Sequence, residues 1–375
     1  MEEEQLVGEA LTAEMAAIET DRLDEALFER IDPNMVEGWD IKRILWRVFR
    51  DAGELNHENL IVLAELEISY CRCDYDAALE RANYLIEHAD APIALYARTM
   101  RMNIMVARGD GEQAYEDLLV LKEKCALGLA QTDDVQMLSA SVVCALRIEG
   151  TVMASLFNLP RMIEGIDVIP VGLKLYFGYL FAMRYLRLGR YHEAYGMALA
   201  YQTIINVRYP GSRTYLYCVE ASAKMIMGDI QKARALFDEA WKLKEEYGIL
   251  MPFIDLNYAL LGLTRMNREE LAAPGEIQRI EKLISSYSKG WYCLRKKCGL
   301  PVVTEALTPL ESYASELVAL GWRNKEIAKH LLISESTVKH QLTSVYQKLH
   351  VTSRADLQEL YRTASKSPQG FDVWA

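Results

Sequence analysis

The chain of 375 residues is poor in proline and has no extended run of alternating apolar and polar residues. Only 10 prolines occur, and apolar residues recur three and four positions apart along most of the sequence. That spacing is typical of amphipathic helices, whereas the residues of a half-buried strand alternate at every second position. The sequence therefore predicts an all-α protein and argues against a sheet-based fold.

Long hydrophobic runs and a secretion signal are also missing. The longest apolar stretch, residues 171–188, is interrupted by Lys174 and Arg184, which leaves it too short to span a bilayer. The N-terminus begins with acidic residues where a signal peptide carries basic ones. The seven cysteines are scattered, without the paired spacing of a zinc site. These features predict a cytoplasmic protein with reduced thiols, no membrane partner and no bound metal.

No set of residues suggests catalysis or nucleotide binding. The phosphate-binding loop G-x-x-x-x-G-K-[ST] does not occur in the sequence. The alternating strands of a phosphoacceptor receiver are not predicted, and no acid/base pair, nucleophile triad or metal-ligand pattern stands out. We therefore expect no enzyme activity, no ATP-driven switch and no cofactor.

The formal net charge of −11 is distributed unevenly. Residues 1–60 hold 16 Asp and Glu against 6 Lys and Arg. The sign reverses over residues 278–298, where Glu281 is the only acidic residue. The basic residues there are Arg279, Lys282, Lys289, Arg295, Lys296 and Lys297. Such a segment indicates either a nucleic-acid-facing part of the chain or a solvated linker.

A ten-residue phrase recurs in the first three quarters of the chain. It reads CDYDAALERA, GDGEQAYEDL, GRYHEAYGMA and GDIQKARALF, and each copy has Ala at its sixth position: Ala78, Ala114, Ala194 and Ala233. Weaker copies place Ala154 and Ala272 there. We interpret the phrase as the turn of a helical hairpin: one helix ends at a left-handed residue, usually Gly, and a small Ala lets the next helix pack closely.

These units resemble tetratricopeptide repeats in a longer and degenerate form. Stacked hairpins of this length form a solenoid, so we predict a tetratricopeptide-like helical solenoid over residues 59–288. An acidic helical capping region (1–58) precedes it. Gly290, Gly299 and Pro301 indicate a linker over residues 289–304. Coincidental spacing in an ordinary helical bundle is the alternative.

Residues 305–365 predict four short helices, followed by a tail over 366–375. Thr308, Asn324 and Ser334 are the expected caps of the first three helices, and Glu311 follows Thr308 in capping-box position. The third helix has an apolar face formed by Val338, Leu342, Val345 and Leu349 and a polar face opposite. A polar helix that follows a short helix through a tight turn is the arrangement that enters the major groove of DNA. A solvated helical hairpin is the other interpretation.

This segment resembles the C-terminal helix-turn-helix domain of LuxR-type transcription regulators. The matching residues are Leu307-Thr308-Pro309, Glu311, Gly321, Asn324-Lys325-Glu326-Ile327-Ala328, Leu331, Ile333-Ser334-Glu335, Thr337-Val338-Lys339, Leu342, Lys348-Leu349, Val351 and Arg354. The resemblance implies base contacts from Lys339, His340 and Thr343. It implies contacts to the DNA backbone from Lys325, Ser336, Thr337 and Lys348.

The two parts together resemble the repeat and DNA-binding domains of the large ATP-dependent LuxR-type regulators, without their ATPase. The resemblance predicts a transcription regulator that binds double-stranded DNA as a homodimer, with RNA polymerase as a further partner. The fourth helix is expected to pair between protomers through Leu357, Leu360 and Tyr361. The alternative is a tetratricopeptide-type scaffold or adaptor whose helix-turn-helix binds protein.

The repeat domain is expected to sense an effector or to mediate oligomerisation. A small molecule, a peptide or a protein would suit a pocket rich in aromatic and basic side chains. The candidate lining residues are Tyr176, Tyr179, Arg184, Arg208, Arg213 and Tyr215. Aromatic packing between repeat helices is the other interpretation of this cluster.

Overall fold

The computed structural model describes residues 57–131, 134–152, 156–157, 178–183, 185–186, 190–204, 210–256, 260, 263, 275–300, 307, 309–331 and 333–365. Within these ranges every regular element is an α-helix and no strand occurs, which confirms the all-α prediction. The predicted capping region lies almost wholly outside the described residues, and the predicted tail lies entirely outside them.

The helices that precede residue 301 share one hydrophobic core. Their bounds are α1 (His57–Cys71), α2 (Tyr75–His88), α3 (Ala91–Arg108), α4 (Gly111–Gln131), α5 (Val135–Val152), α6 (Tyr191–Ile204), α7 (Pro210–Ile226), α8 (Ile230–Tyr247), α9 (Met251–Asp255) and α10 (Glu276–Lys297). Consecutive helices from α1 to α5 pack against each other, and so do those from α6 to α8. We call this part of the chain the N-terminal body.

The copies of the recurring phrase that begin at Cys73, Gly109 and Gly228 form the turn of a helical hairpin, as predicted, whereas Gly189, which begins another copy, lies outside the described residues. The four copies begin α2, α4, α6 and α8, and the four alanines at the sixth position are all fully buried. The helix before the turn ends at a left-handed residue: Gly109 has φ 87° and Gly228 has φ 86°. In the first copy Cys73 takes this conformation with φ 58°, which costs about 1–2 kcal/mol for a residue with a side chain. The copies with Ala154 and Ala272 lie outside the described residues.

Helix α10 makes the N-terminal body more closed than an open solenoid. It packs against α3, α4 and α5, which lie far from it in the sequence, and also against α9. The Trp291 indole Nε1 on α10 donates to the carbonyl oxygen of Thr151 on α5 at 2.7 Å. A second long-range contact joins the loop before α9 to the end of α1, because the backbone N–H of Leu250 donates to the Cys71 carbonyl at 2.8 Å. Since repeats in an open solenoid contact only their neighbours, these contacts are a departure from the predicted packing.

The start of the predicted linker is wrong, because α10 continues to Lys297. Gly290 was expected to break the helix, but it lies within it at a close approach to α3. A Cβ at this position would lie 2.1 Å from the carbonyl oxygen of Val106. Glycine is therefore required by packing rather than by a turn. Gly299, whose φ is 68°, follows the end of the helix, and the basic residues of the last turn complement the negative end of the helix dipole.

A second hydrophobic core begins at Leu307. Its helices are α11 (Pro309–Ala319), α12 (Asn324–Leu331), α13 (Glu335–Lys348) and α14 (Arg354–Ser365). Helix α11 packs against α13 and α14, and α12 packs against α13. The four helices lie where the sequence predicted them, and they carry the candidate site.

Candidate nucleic-acid interface

The connection between α12 and α13 is a tight turn closed by backbone and side-chain hydrogen bonds. The backbone N–H of Ile333 donates to the carbonyl oxygen of Ala328 at 3.0 Å. Ser334 then caps α13, because its Oγ accepts the backbone N–H of Thr337 at 3.0 Å. This confirms Ser334 as the cap predicted from the sequence. The turn fixes the direction in which α13 leaves the domain core.

Helix α13 has one buried face and one exposed face. Val338 and Val345 are fully buried and Leu342 is 3% exposed, so the apolar face belongs to the domain core. The exposed residues are Glu335, Ser336, Lys339, His340, Thr343, Gln347 and Lys348. A 14-residue helix with a polar, outward face has the size and chemistry of a DNA recognition helix.

The three residues expected to contact bases all project from this exposed face. Lys339 is 65% exposed, and its ammonium lies 3.4 Å from the carboxylate of Glu335 one turn earlier. Thr343 donates its hydroxyl to the carbonyl oxygen of Lys339 at 2.9 Å. His340 lies beside Lys339 and is exposed. The Glu335–Lys339 pair was not predicted, although the four-residue spacing of opposite charges could have indicated it.

The residues expected to contact the DNA backbone differ in how accessible they are. Lys325 is exposed on α12, and Ser336 is exposed in the first turn of α13. Thr337 is half-buried, and its hydroxyl lies 2.8 Å from Ser334 Oγ. The charged head of Lys348 is bound by Glu311 of α11, at 2.7 and 3.0 Å from the two carboxylate oxygens. Lys348 therefore forms an ion pair inside the domain, which the sequence did not predict.

Glu311 is the centre of a small polar cluster inside the domain. It is 4% exposed and accepts a hydrogen bond from Ser344 at 2.5 Å as well as the two from Lys348. The capping box predicted for Glu311 involves Thr308, which lies outside the described residues. The contacts of Glu311 with Ser344 and Lys348 link α11 to α13.

Helix α14 is attached to the start of α12 by Arg354. Its guanidinium donates to the side-chain oxygen of Asn324 at 3.1 Å and to the carbonyl oxygen of Trp322. Asn324 was expected to cap α12, but it lies in the first turn and its side chain accepts from Arg354 instead. This hydrogen bond joins the start of α14 to the start of α12.

The expected dimer face of α14 is wrong in one residue. Leu357 is fully buried in the domain core, so it is not available for contact between protomers. Tyr361 is half-buried, and its hydroxyl lies 2.6 Å from Ser315 Oγ. Because the apolar side of α14 faces its own domain, the sequence pattern alone could not separate core packing from pairing.

A buried histidine lies beneath the exposed surface of the domain. His330 is 6% exposed, and its ring meets Trp322 edge-to-face with centroids 5.0 Å apart. Burial disfavours the charged imidazolium and lowers the pKa of His330 to about 4. The domain therefore contains a group that the folded chain keeps neutral.

The candidate effector residues that the structure describes are packed side chains. The rings of Tyr179 and Tyr215 are 4.4 Å apart, and both residues are buried. Arg213 on α7 donates to the hydroxyl of Tyr217 at 3.3 Å, one turn later. Tyr176, Arg184 and Arg208 lie outside the described residues. Contact between Tyr179 and Tyr215 agrees with the interpretation of aromatic packing between helices.

Buried polar groups meet in the core of the N-terminal body. Arg147 donates to the hydroxyl of Tyr96 at 2.6 Å and to the Glu67 carboxylate at 3.4 Å. The Tyr215 hydroxyl donates to Asp255 at 2.5 Å. Burial raises the pKa of Asp255 to about 6, although Tyr215 and Arg147 act against this rise. These contacts join α1, α3, α5, α7 and α9.

Metal binding and membrane insertion receive no support from the described residues. They contain no cluster of three or more His, Cys, Asp or Glu side chains placed to hold a metal ion. In the same residues, no helix combines the length and apolar character needed to cross a bilayer. All seven cysteines are described, and none of them forms a disulfide.

Comparison with known proteins identifies the second core. Residues 305–361 match the GerE family, "Bacterial regulatory proteins, luxR family". A 63-residue segment is 46% identical to "Putative HTH-type transcriptional regulator Mb0914c" of Mycobacterium bovis. The same identity holds for "Putative HTH-type transcriptional regulator Rv0890c" of Mycobacterium tuberculosis. Each match covers 16% of this chain and 7% of the relative.

No solved structure matches the chain. The sequence match and the helix geometry agree on the same residues: the family match covers α11 to α13 and most of α14. Residues 305–361 form a LuxR-type helix-turn-helix domain.

Proposed function

We propose that the protein is a DNA-binding transcription regulator in which α13 lies in the major groove. The observation that carries this proposal is the division of α13 into a buried apolar face and an exposed polar face within a LuxR-type domain. The exposed Lys339 can donate to guanine O6 and N7, and Thr343 can hydrogen-bond or contact a thymine methyl group. The mycobacterial proteins that are similar over this domain are named as transcriptional regulators, which supports the same function.

The helix-turn-helix domain carries little excess positive charge of its own. Residues 303–366 hold 8 Lys and Arg against 7 Asp and Glu, and Lys348 is already paired with Glu311. Few phosphates can be neutralised by one such domain, so non-specific affinity from one copy is expected to be low. A homodimer on two half-sites about one helical turn apart would double the contacts.

The N-terminal body supplies effector sensing or oligomerisation in this proposal. Its hairpins resemble tetratricopeptide repeats, and the buried alanines of the four copies support that comparison. A body with its own core, joined in one chain to a DNA-binding domain, is suited to set the number or spacing of those domains. Sedimentation of the full chain with and without operator DNA would give the number of protomers in each state.

The test of the function is selection of bound sequences from a random duplex pool with the purified full chain. Enrichment of one motif, followed by salt-dependent binding to that motif, is the expected result. The double variant Lys339→Ala/His340→Ala should lose preference for the selected motif over a scrambled duplex. If the selection returned no motif and the chain instead retained protein partners through α13, the scaffold function would replace this proposal.

A further inference from the structure

We propose that Glu335 and Lys339 together read one G·C base pair, with Glu335 accepting a hydrogen bond from the amino group of the cytosine. This inference rests on the proposed function, because it assigns a further base contact to the helix that lies in the major groove. The sequence predicted a base contact for Lys339 but none for Glu335. The ion pair between the two side chains is what connects them.

Glu335 lies where a helix in the major groove reaches the base edges. It is the first residue of α13 and is exposed, and the N-terminal residues of such a helix are the ones that contact bases. Ser334 fixes this end of the helix, because its Oγ accepts the backbone N–H of Thr337 at 3.0 Å. Side chains four residues apart lie on the same side of a helix, so Glu335 shares its side with Lys339 and Thr343.

The charge of Glu335 restricts what it can bind in DNA. It is the only acidic residue of α13, and an ionised carboxylate offers acceptor oxygens only. The negatively charged phosphates repel it. On the major-groove edges of the bases, the hydrogen-bond donors are the amino groups of cytosine and adenine, and the other polar atoms are acceptors. A carboxylate on this side of α13 is therefore suited to a base amino group and not to the DNA backbone.

The distance between the two charged groups matches the pattern of a G·C pair. Lys339 Nζ lies 3.4 Å from Glu335 Oε1. In a G·C pair the cytosine N4 amino group donates to guanine O6, which places these two atoms about 2.9 Å apart, the usual length of an N–H···O bond. Lys339 can thus donate to O6 and N7 of the guanine while Glu335 accepts from N4 of the cytosine. An A·T pair does not offer two adjacent acceptors to Lys339, because the adenine amino group lies between N7 and thymine O4.

The ion pair has more to contribute to binding than to folding. The Glu335 and Lys339 side chains are 47% and 65% exposed, and ion pairs in such a position add little to stability. In the groove, Lys339 compensates the charge of the carboxylate, so that Glu335 approaches the DNA as part of a neutral pair. Glu335 in turn keeps the ammonium of Lys339 beside its own acceptor oxygen. The pair thus presents one donor and one acceptor side by side to the base edges.

The experiment changes one amino group of the selected operator and one side chain of the full chain. The guanine is located first, as the operator position whose preference is lost in Lys339→Ala. Its partner is then replaced by N4-methylcytosine, which keeps base pairing and the guanine acceptors but removes the amino hydrogen that faces the major groove. The wild type should bind the methylated operator about five- to tenfold more weakly, as expected for the loss of a base contact. Glu335→Ala should bind both operators equally.

Two further variants separate the acceptor from the charge. Glu335→Gln keeps an acceptor oxygen without the charge and should retain the effect of methylation. Glu359→Ala removes the same charge from an exposed ion pair of α14 and should behave as the wild type. An equal effect of methylation on the wild type and on Glu335→Ala, or no effect on the wild type, would overturn the assignment of Glu335 while sequence-specific binding remained. If the wild type showed no sequence-specific binding, the proposed function itself would fail.

Discussion

The ammonium of Lys348 lies 2.7 Å from the Oε2 atom of Glu311 and joins the end of α13 to α11, the first helix of its domain. Glu311 is buried, whereas the Lys348 side chain is 35% exposed. Lys348 supplies the counter-ion for the buried carboxylate of Glu311. Removing Lys348 would leave that negative charge uncompensated inside the domain. The Lys348–Glu311 contact therefore fixes the C-terminal end of α13, opposite the end that Ser334 caps.

Replacing Lys348 by Met should destabilise the helix-turn-helix domain. We expect a loss of about 1–2 kcal/mol in the free energy of unfolding, below the value for a fully buried pair because Lys348 is partly in solvent. Urea unfolding followed by tryptophan fluorescence, in a background that keeps Trp322 and replaces the other five tryptophans by Phe, measures this change. The variant Glu311→Met/Lys348→Met should recover most of the stability. If the double variant were less stable than Lys348→Met, the pair would not explain the loss.

Stability and DNA binding should separate between the two faces of α13. Lys339→Ala should change the free energy of unfolding by less than about 0.5 kcal/mol, since the side chain is exposed. It should weaken operator binding by about 1–3 kcal/mol if the ammonium contacts a base. Leu342→Ala should cost about 2–5 kcal/mol of stability through the cavity it leaves. Binding titrations and thermal melts of both variants check this, and unchanged affinity in Lys339→Ala would contradict the base-contact role.

The domain should lose stability as the pH falls through the range set by His330. The pKa is about 4 in the folded chain and 6.5 in its ordinary state, so the unfolded chain takes up the proton first. The contribution of neutral His330 to the free energy of unfolding is present above pH 6.5. It is lost as the pH falls toward 4, by about 3 kcal/mol in total. Unfolding at pH 7, 5.5 and 4.5, in the same background with Trp322 as the single tryptophan, measures this loss. His330→Gln should flatten this dependence, and a profile identical to that of the wild type would assign it to other groups.

Asp255 should give the N-terminal body the opposite dependence on pH. Burial raises its pKa from 3.8 to about 6, so the folded chain holds the proton more tightly than the unfolded chain. The contribution of protonated Asp255 to the free energy of unfolding is complete below pH 3.8. It is lost as the pH rises through about 6, by about 3 kcal/mol. Asp255→Asn, which keeps an acceptor for Tyr215, should therefore be more stable than the wild type at pH 8. Calorimetric unfolding at pH 5 and 8 measures the difference.

Glu220 provides the control for the Asp255 measurement. It is 1% exposed, accepts a hydrogen bond from Gln202 at 2.6 Å, and has its pKa raised to about 7 by burial. The Asp255→Asn variant should retain the pH dependence that comes from Glu220, and only Asp255→Asn/Glu220→Gln should lose both. A single variant already flat between pH 4 and 8 would show that Glu220 does not titrate in this range.

The helix-turn-helix domain could be predicted from sequence because its signals are local. Ser334 caps a helix through a hydrogen bond three residues away, and Val338, Leu342 and Val345 define a buried face by spacing alone. The same holds for two residues of the recurring phrase. The small side chain of Ala78 lets two helices pack closely, and the left-handed φ of Gly109 favours glycine. Caps, turns and helical periodicity depend on neighbours in the chain, so the residues themselves determined helix positions and the exposed face of α13.

Tertiary structure decided the features that depend on residues far apart in the chain. The sequence predicts Gly290 as a linker residue, whereas its close approach to Val106 places it in the packing of α10. The sequence predicts Leu357 as a pairing residue, whereas the domain core encloses it. Lys348 could be placed on the DNA side of α13, but its contact with Glu311 joins positions 37 residues apart. Close packing and charge pairing are set by distances in space, and the order of residues along one helix does not contain those distances.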